Sequence, residues 1–220
     1  MKTVASVVEK YLKTKPFLLS SLSEGIINLT SLARIIMPEI ELHLGKDIKQ
    51  GAVVMALKRI SEELDFKISH KVSKVLQNIG EITVRSSLTD YTYEISDTLL
   101  ENQSKLMFEI KTNKNLFYTS SRGVNETNIV VSSEINSIVE DYLKTEKLLS
   151  KNENLSSITV KLPHENVTVP GVYYYIFQSL AWEGIIINEV ISTTNEFTII
   201  VNENHIDIAF SVIKDLKKIG

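Results

Sequence analysis

The chain has 220 residues, 43% of them apolar and 23% charged, which is enough for a buried core and argues against disorder. It contains no Cys, so disulfides and thiolate metal sites are excluded, and its 4 scattered His argue against an all-protein zinc site. The net charge of −3 is uneven: residues 1–75 hold 12 Lys+Arg and 8 Asp+Glu, the remainder 12 and 19, so a basic front half precedes an acidic rear half.

The first 76 residues read as helical. In MKTVASVVEKYLKTKP, Val4, Val7, Val8, Tyr11 and Leu12 fall at helical spacing, while Glu9 and Lys10 interrupt the apolar run that a signal peptide needs. No apolar run approaches the roughly 18 residues that cross a bilayer, so a cytoplasmic protein is expected. Pro16 restarts the chain, and Leu18, Leu19, Leu22, Ile26 and Ile27 form a second stripe. A third helix lies in NLTSLARIIMPEIELHLGK: Asn28 or Thr30 can cap it, and Pro38 breaks or restarts it. A fourth, DIKQGAVVMALKRISEEL, places Ile48, Ala52, Val53, Ala56, Leu57, Ile60 and Leu64 on one side, and a short helix covers Ile68 to Leu76.

Near Ile79 the period changes. GEITVRSS alternates Ile82 with Val84, as a strand does. The helical stretch DTLLENQSKLMFEI follows, then NLFYTSS and TNIVVSS about the turn RGVNE, a hairpin. Ser133 is placed to cap a helix carrying Ile135, Ile138, Val139, Tyr142 and Leu143. LSKNENLSS is polar and reads as a connection. The same order then returns about seventy residues on, with Ile129 mapping near Ile199 and Ile138 near Ala209. SSITVKLP is a strand; Pro170 suits the first position of a helix with Val172, Ile176 and Leu180 on one face, and Gly184 suits its stop. IIINEVIST and EFTIIVN pair about Thr194–Asn195, and Asn204 can cap the last helix. Two βαββα units imply antiparallel sheets of the split-βαβ, ferredoxin-like kind. The second unit lacks a fourth strand, so its sheet edge must be short, covered or paired, for instance with another copy.

The stretch VTVPGVYYYIFQSLAWEGIIINEVISTTNEFTIIVNENHIDIAFSVIKDL resembles the ACT domain, most closely the ACT modules at the regulatory end of aspartate kinases. The resemblance rests on the Pro-Gly-Val entrance, the IFQSLAWEGI helix, the NEVIST strand and the FTIIVNE strand, over about residues 156–218. For residues 79–150 it rests on pattern alone. It implies an α+β chain: a helical domain at 1–76, an ACT-like module at 77–152 and a second at 153–220. The aspartate-kinase catalytic domain is absent, no Gly-rich phosphate loop is found, and the family's acidic or serine contacts in the hairpin become Thr194 and Asn195.

The resemblance further implies a non-enzymatic, oligomeric sensor of a small molecule, usually an amino acid, bound between paired modules without a cofactor or metal. Val169, Pro170, Gly171 and Val172, with Ile187, Asn188, Thr194 and Asn195, are the expected contacts. Helix-first-turn amides attract a carboxylate, and Gly171, expected at negative φ, permits close approach. The alternative is a plain helix start in a module that only dimerises or holds an enzyme partner. The helical front can form a helix-turn-helix, Leu29–Met37 crossing a duplex and the helix from Asp47 reading it. Arg34, Lys46, Lys49, Lys58 and Arg59 would meet phosphates and Gln50 a base edge. A helical bundle with a solvated charged face is the alternative, and Glu62 partly cancels Lys58. Trp182 is expected in the core, His43 and His70 on the surface, and at least one of Tyr173, Tyr174 and Tyr175 exposed or at a subunit contact; His164, just before the Pro-Gly loop, could contact a ligand but is not counted among the expected contacts.

Overall fold

The computed structural model describes residues 3–23, 25–65 and 69–218. The chain divides into two compact units, residues 1–74 and 75–219.

The first unit holds α1 (Val4–Lys13), α2 (Pro16–Ser23), α3 (Leu29–Leu44) and α4 (Gln50–Asp65); α5 (Ser69–Gln77) runs across the division. Thr3 and Ser6 form a reciprocal capping box at the start of α1, each side-chain oxygen accepting the other's backbone N–H. Asn28 caps α3 by accepting from the N–H of Ser31, while Thr30 lies inside the helix. Gly45, at φ 67, ends α3 by donating to the carbonyl of Glu41. Val8, Leu12, Ala33, Ile36, Ile40, Val53 and Leu57 make one core from α1, α3 and α4. Contrary to expectation, α3 continues through Pro38. Pro38 is exposed, and Ile36 and Ile40 on either side of it are buried in the same core, which holds both halves of the helix in line. Ile26 and Ala52, expected in apolar stripes, are exposed. The side chain of Leu64 lies outside the described residues, as does Ile68.

The second unit runs β1 (Ile82–Glu94), α6 (Leu99–Ile110), β2 (Tyr118–Arg122), β3 (Glu126–Ser132), α7 (Asn136–Tyr142), β4 (Leu148–Lys161), α8 (Val172–Trp182), β5 (Ile187–Ser192), β6 (Glu196–Asn202) and α9 (Ile206–Asp215). The strand–helix–strand–strand–helix order thus occurs twice. All six strands belong to one sheet, in the order β2-β3-β1-β4-β6-β5, with every neighbouring pair antiparallel. The strand that each half lacks is therefore the other half's first strand: β4 lies beside β1 and closes both. The polar run read as a connection is part of β4, so the boundary expected at 152–153 falls inside a strand. Its first half is exposed and carries Lys151 paired to Glu140 and Glu153, which is why its composition resembles a loop.

On one face of the sheet Tyr91, Tyr93, Ile129 and Val131 pack against Leu99 and Leu106 of α6 and Val139 of α7. In the second half Ile158, Val160, Phe197, Ile199, Val172, Ile176, Leu180, Ala209 and Ile213 are buried. The shift that carries Ile129 to Ile199 carries Val139, and not Ile138, to Ala209; both are fully buried. The sheet is curled, so its other face also buries a cluster of Leu88, Val130, Leu155 and Ile200, with Phe117 and Ile191 beside it.

Three helix ends differ from expectation. Pro170 precedes α8, whose N-cap is Gly171. Ser133 bonds through its hydroxyl to Thr89 at 2.8 Å instead of capping α7. Asn204 donates its N–H to the side chain of Asn202, and His205 stands before α9 without a side-chain cap. Gly184, at φ 70, does stop α8: its N–H reaches the carbonyl of Ala181 and that of Ile185 reaches Leu180, a Schellman ending.

Candidate functional site

The loop from β4 into α8 is built against the β5–β6 turn. The N–H of Leu162 donates to the carbonyl of Asn195 at 2.7 Å, and the amide of Asn195 donates back at 3.3 Å. Asn166 is buried, and its amide donates to the carbonyls of Pro163 (2.8 Å) and Thr194 (2.9 Å). Loop and turn are thus fixed to one another. Gly171 then takes φ 97, a left-handed conformation that glycine alone adopts freely, and its carbonyl accepts from Tyr175 to open α8. The ring of Tyr173 stacks on Phe197 at 5.0 Å, and its hydroxyl lies 2.7 Å from that of Ser192. The first amides of a helix have no acceptor within it, and at α8 those include the amides of Val172 and Tyr173.

The bonds to Thr194 and Asn195 come from Leu162 and Asn166, and Tyr173 meets Ser192, so the loop is tied to the β5–β6 hairpin on both sides of Val169–Val172. This geometry does not bring Ile187 and Asn188 to that loop. Those two follow the far end of α8, whose length of about 16 Å at 1.5 Å per residue separates the two groups. Val172 is buried and serves the core; Pro170 and Asn188 are exposed. Asn188 stands where the β5–β6 register shifts, outside the ladder. His164 is exposed.

The equivalent corner of the first half has a different content. There Glu146, buried, receives hydrogen bonds from the hydroxyls of Ser96 and Thr98 and from the amide of Asn102, the last two at 2.8 and 2.6 Å. The hydroxyl of Ser96 also accepts from the N–H of Leu99 at the start of α6. Burial pushes the Glu146 carboxyl up, but the three hydrogen bonds together outweigh it and hold the group below the ordinary carboxylate range. A carboxylate thus sits in a cradle of donors at the mouth of α6. In the second half the same shift of seventy residues reaches Leu216, which is buried and cannot play that part. Glu146 and Asn166 escaped the sequence reading because each acts through partners distant in the chain.

Trp182, expected in the core, is 75% exposed at the end of α8. Its position faces away from the Val172–Ile176–Leu180 stripe. All three of Tyr173, Tyr174 and Tyr175 are half-buried, Tyr174 and Tyr175 meeting edge to face at 5.9 Å. His43 is exposed, with Nδ1 2.8 Å from the carbonyl of Glu39; the side chain of His70 lies outside the described residues.

In the helical unit the expected crossing helix extends to Leu44, and the following helix begins at Gln50, not Asp47. Arg34, Lys46, Lys49, Lys58 and Arg59 are exposed, Lys46 and Lys49 in the link between α3 and α4. Gln50 is engaged, donating its amide to the carbonyl of Thr30 at 3.1 Å. Lys58 lies 3.8 Å from Glu62, and Arg59 is close enough to Glu9 to act on its carboxylate. Among the described residues no three His, Cys, Asp or Glu gather to hold a metal, and no helix is long and apolar enough to cross a membrane.

No protein-family model matches the chain, and no curated protein matches it in sequence. Solved structures do match in fold. The ligand-free regulatory subunit of aspartate kinase from Thermus thermophilus superposes with a TM-score of 0.52 at 9% identity, over 63% of this chain and 97% of that one. The aspartate kinase of Clostridium acetobutylicum gives 0.51 at 15% identity over 63% of this chain, and the match spans only 34% of that enzyme. Aspartokinase alpha and beta subunits give 0.50 at 13% identity, over 64% and 99%. The matched share is close to the length of the β-rich unit, and the likeness is one of fold: an α+β arrangement similar to that of the regulatory subunits of aspartate kinases.

Proposed function

We propose that the β-rich unit consists of two ACT-like modules in tandem, joined through β1 and β4. In this reading the chain is a cytoplasmic, non-enzymatic regulator that senses a small molecule, an amino acid, at the loop before α8. One observation carries it: the two equivalent corners differ in their carboxylate. The corner of α6 holds the chain's own Glu146 among three side-chain donors. The corner of α8 has Leu216 at the equivalent position. A free carboxylate suits the start of α8, because the first amides and the helix dipole are positive there. Val169–Val172 supply the backbone, and Thr194 and Asn195, tied to the loop by Asn166, supply the second wall. Ile187 and Asn188 act from another copy of the chain in a homo-oligomer, an arrangement supported by β5 being an edge strand.

A thermal-shift screen of the β-rich protein against the amino acids tests this, since a ligand that binds only the folded state must stabilise it, by about 2.7 kcal/mol at a hundred times its Kd. Asn166→Ala, which unties the loop from the turn, is expected to weaken the ligand so found. A screen in which nothing shifts the melt rejects the sensor reading.

A second reading is a ligand-free interaction module that regulates an enzyme partner. The exposure of Trp182 and of Ile186 (75% and 72%) favours it, and light scattering with and without Trp182→Ser measures it. The output in the sensor reading is assigned to the helical unit, as a DNA-binding regulator whose Arg34, Lys46, Lys49, Lys58 and Arg59 meet phosphates. Their exposure and the positive balance of residues 1–75 support this; the engaged Gln50 does not support a base contact. Replacing Lys49 and Arg59 by Ala is expected to weaken duplex binding for all sequences alike and to flatten its salt dependence by about one per lost contact. Absence of salt-dependent retardation by the wild type rejects the DNA role.

A further inference from the structure

The inner face of the curled sheet carries two carboxylates that share one amide. Asn128 on β3 donates its side-chain nitrogen to Asp90 on β1 and to Glu189 on β5, the latter at 3.0 Å. Asn152 on β4 adds a donor to Asp90 at 3.5 Å. Asp90 is 3% exposed. In the strand order, β5 is four places from β3, with β1, β4 and β6 between them. The bond from Asn128 to Glu189 therefore reaches across the hollow of the sheet, over Val130, Leu155 and Ile200, and joins its two sides.

The charges around this bridge are few. By strand register the same face carries Arg85, Glu94 and Glu126 from β1 and β3, and Lys161 and Glu196 from β4 and β6. Arg85 is bonded to the carbonyl of Asn115, and Glu94 is paired with Lys147. Among the described residues no Lys or Arg forms an ion pair with Asp90 or Glu189. Burial pushes the Asp90 carboxyl up, against the hydrogen bonds from Asn128 and Asn152. Burial and then the charge of Asp90 push Glu189 up.

We propose that Asp90, Asn128 and Glu189 form a proton-controlled latch that holds the curled sheet closed, and that loss of its proton loosens β5 from β3. With one carboxyl protonated, the pair can meet at the single Asn128 amide without like-charge repulsion. With both ionised and no cation between them, the close approach is opposed. Because both carboxyls are raised, closure is fully favoured below their ordinary values, 3.8 for Asp90 and 4.5 for Glu189, and weakens as pH rises above them. β5 leads into the turn that Asn166 ties to the loop before α8, so the latch is positioned to move that loop. The latch stands on the geometry of the sheet and not on any ligand.

Hydrogen exchange of the full chain, corrected for intrinsic rates and compared at about pH 3.5 and about pH 8, tests it. Protection of the β5 amides is expected to fall by about tenfold or more over that range in the wild type, and by less than about threefold in Glu189→Gln. Asp90→Asn, which mimics the protonated acid, is expected to behave as Glu189→Gln does. Carboxyl carbon titrations by NMR are expected to place both wild-type groups above their ordinary values. An equal fall in wild type and both variants, or titration of both groups at or below those values, overturns the latch.

Discussion

Leu88 on β1 pairs directly with Leu155 on β4, and each is the other's counterpart in the repeat. A shift of 67 residues turns the pair Arg85–Ser157 into the pair Asp90–Asn152 read from the opposite strand, and Val84–Ile158 into Tyr91–Lys151. The two leucines lie on the local two-fold axis of the sheet. Both are buried, at 0% and 1% exposure, in the cluster that the curl encloses. A central pair that closes both halves at once makes the unit a single cooperative body, since neither half has a complete sheet without the other.

Leu88→Ala and Leu155→Ala are therefore expected to destabilise the unit alike, each by about 2–5 kcal/mol. The double variant is expected to cost less than the sum, because both deletions open one shared cavity. Urea denaturation followed by circular dichroism measures this. A large loss for one leucine and almost none for the other would place the axis elsewhere.

Ser87 and Asn154, one residue before each leucine, both have φ 57, and the β1–β4 register shifts beside them. The left-handed conformation is strained for Ser and better tolerated by Asn, whose short side chain hydrogen-bonds locally. Ser87→Gly is expected to stabilise the unit by up to about 1 kcal/mol, and Asn154→Gly by less. Thermal melts of the two variants rank them; a destabilised Ser87→Gly would show that the bulge is not strained.

Much of this fold was legible in the sequence, and the misses have physical causes. Apolar alternation at Ile158–Val160–Leu162 and the hairpins 118–132 and 187–202 are local signals. The second half of β1, LTDYTYE, hid because its inner face carries Asp90 and Thr92, polar residues that belong to the hollow of the sheet. β4 hid behind its solvated start. Of the candidate site, Pro170-Gly171 and Thr194–Asn195 were found as turn chemistry. The bonds that join them run through Asn166, which lies 28 positions from Thr194, and Glu146 lies 50 positions from Ser96. Such pairings leave no periodic trace.

Glu146 gives a prediction with a sign. Its carboxyl is held below the ordinary range, so its contribution to stability is present above the unfolded value of 4.5 and is lost as pH falls below it. Glu146→Gln keeps the shape but cannot accept at both oxygens, and is expected to cost about 1–3 kcal/mol at neutral pH, because buried donors lose their partner. The gap between wild type and variant is expected to narrow in acid. Chemical denaturation at about pH 7 and about pH 4 decides it: a gap that widens in acid means the carboxylate is not stabilised by its cradle.

Gly171 reverses one expectation. At negative φ a valine there would have been a clean probe of ligand space, harmless to the fold. At φ 97 every L-residue is strained, so Gly171→Ala and Gly171→Val are both expected to lower stability by about 1–3 kcal/mol before any ligand is considered. Pro170→Ala is the control, since its neighbour keeps the glycine; it is expected to change stability by less than about 1 kcal/mol. If the loop binds a carboxylate as proposed, the two Gly171 variants then separate. Alanine leaves most of the approach to the backbone open, whereas valine adds two methyl groups in front of the first amides of α8. Titration calorimetry is run well below the melting temperature of each variant, with circular dichroism confirming the fold. It is expected to show weakened binding in Gly171→Ala and none in Gly171→Val. Full stability in both variants would contradict the left-handed conformation, and equal affinity in both would place the ligand away from the start of α8.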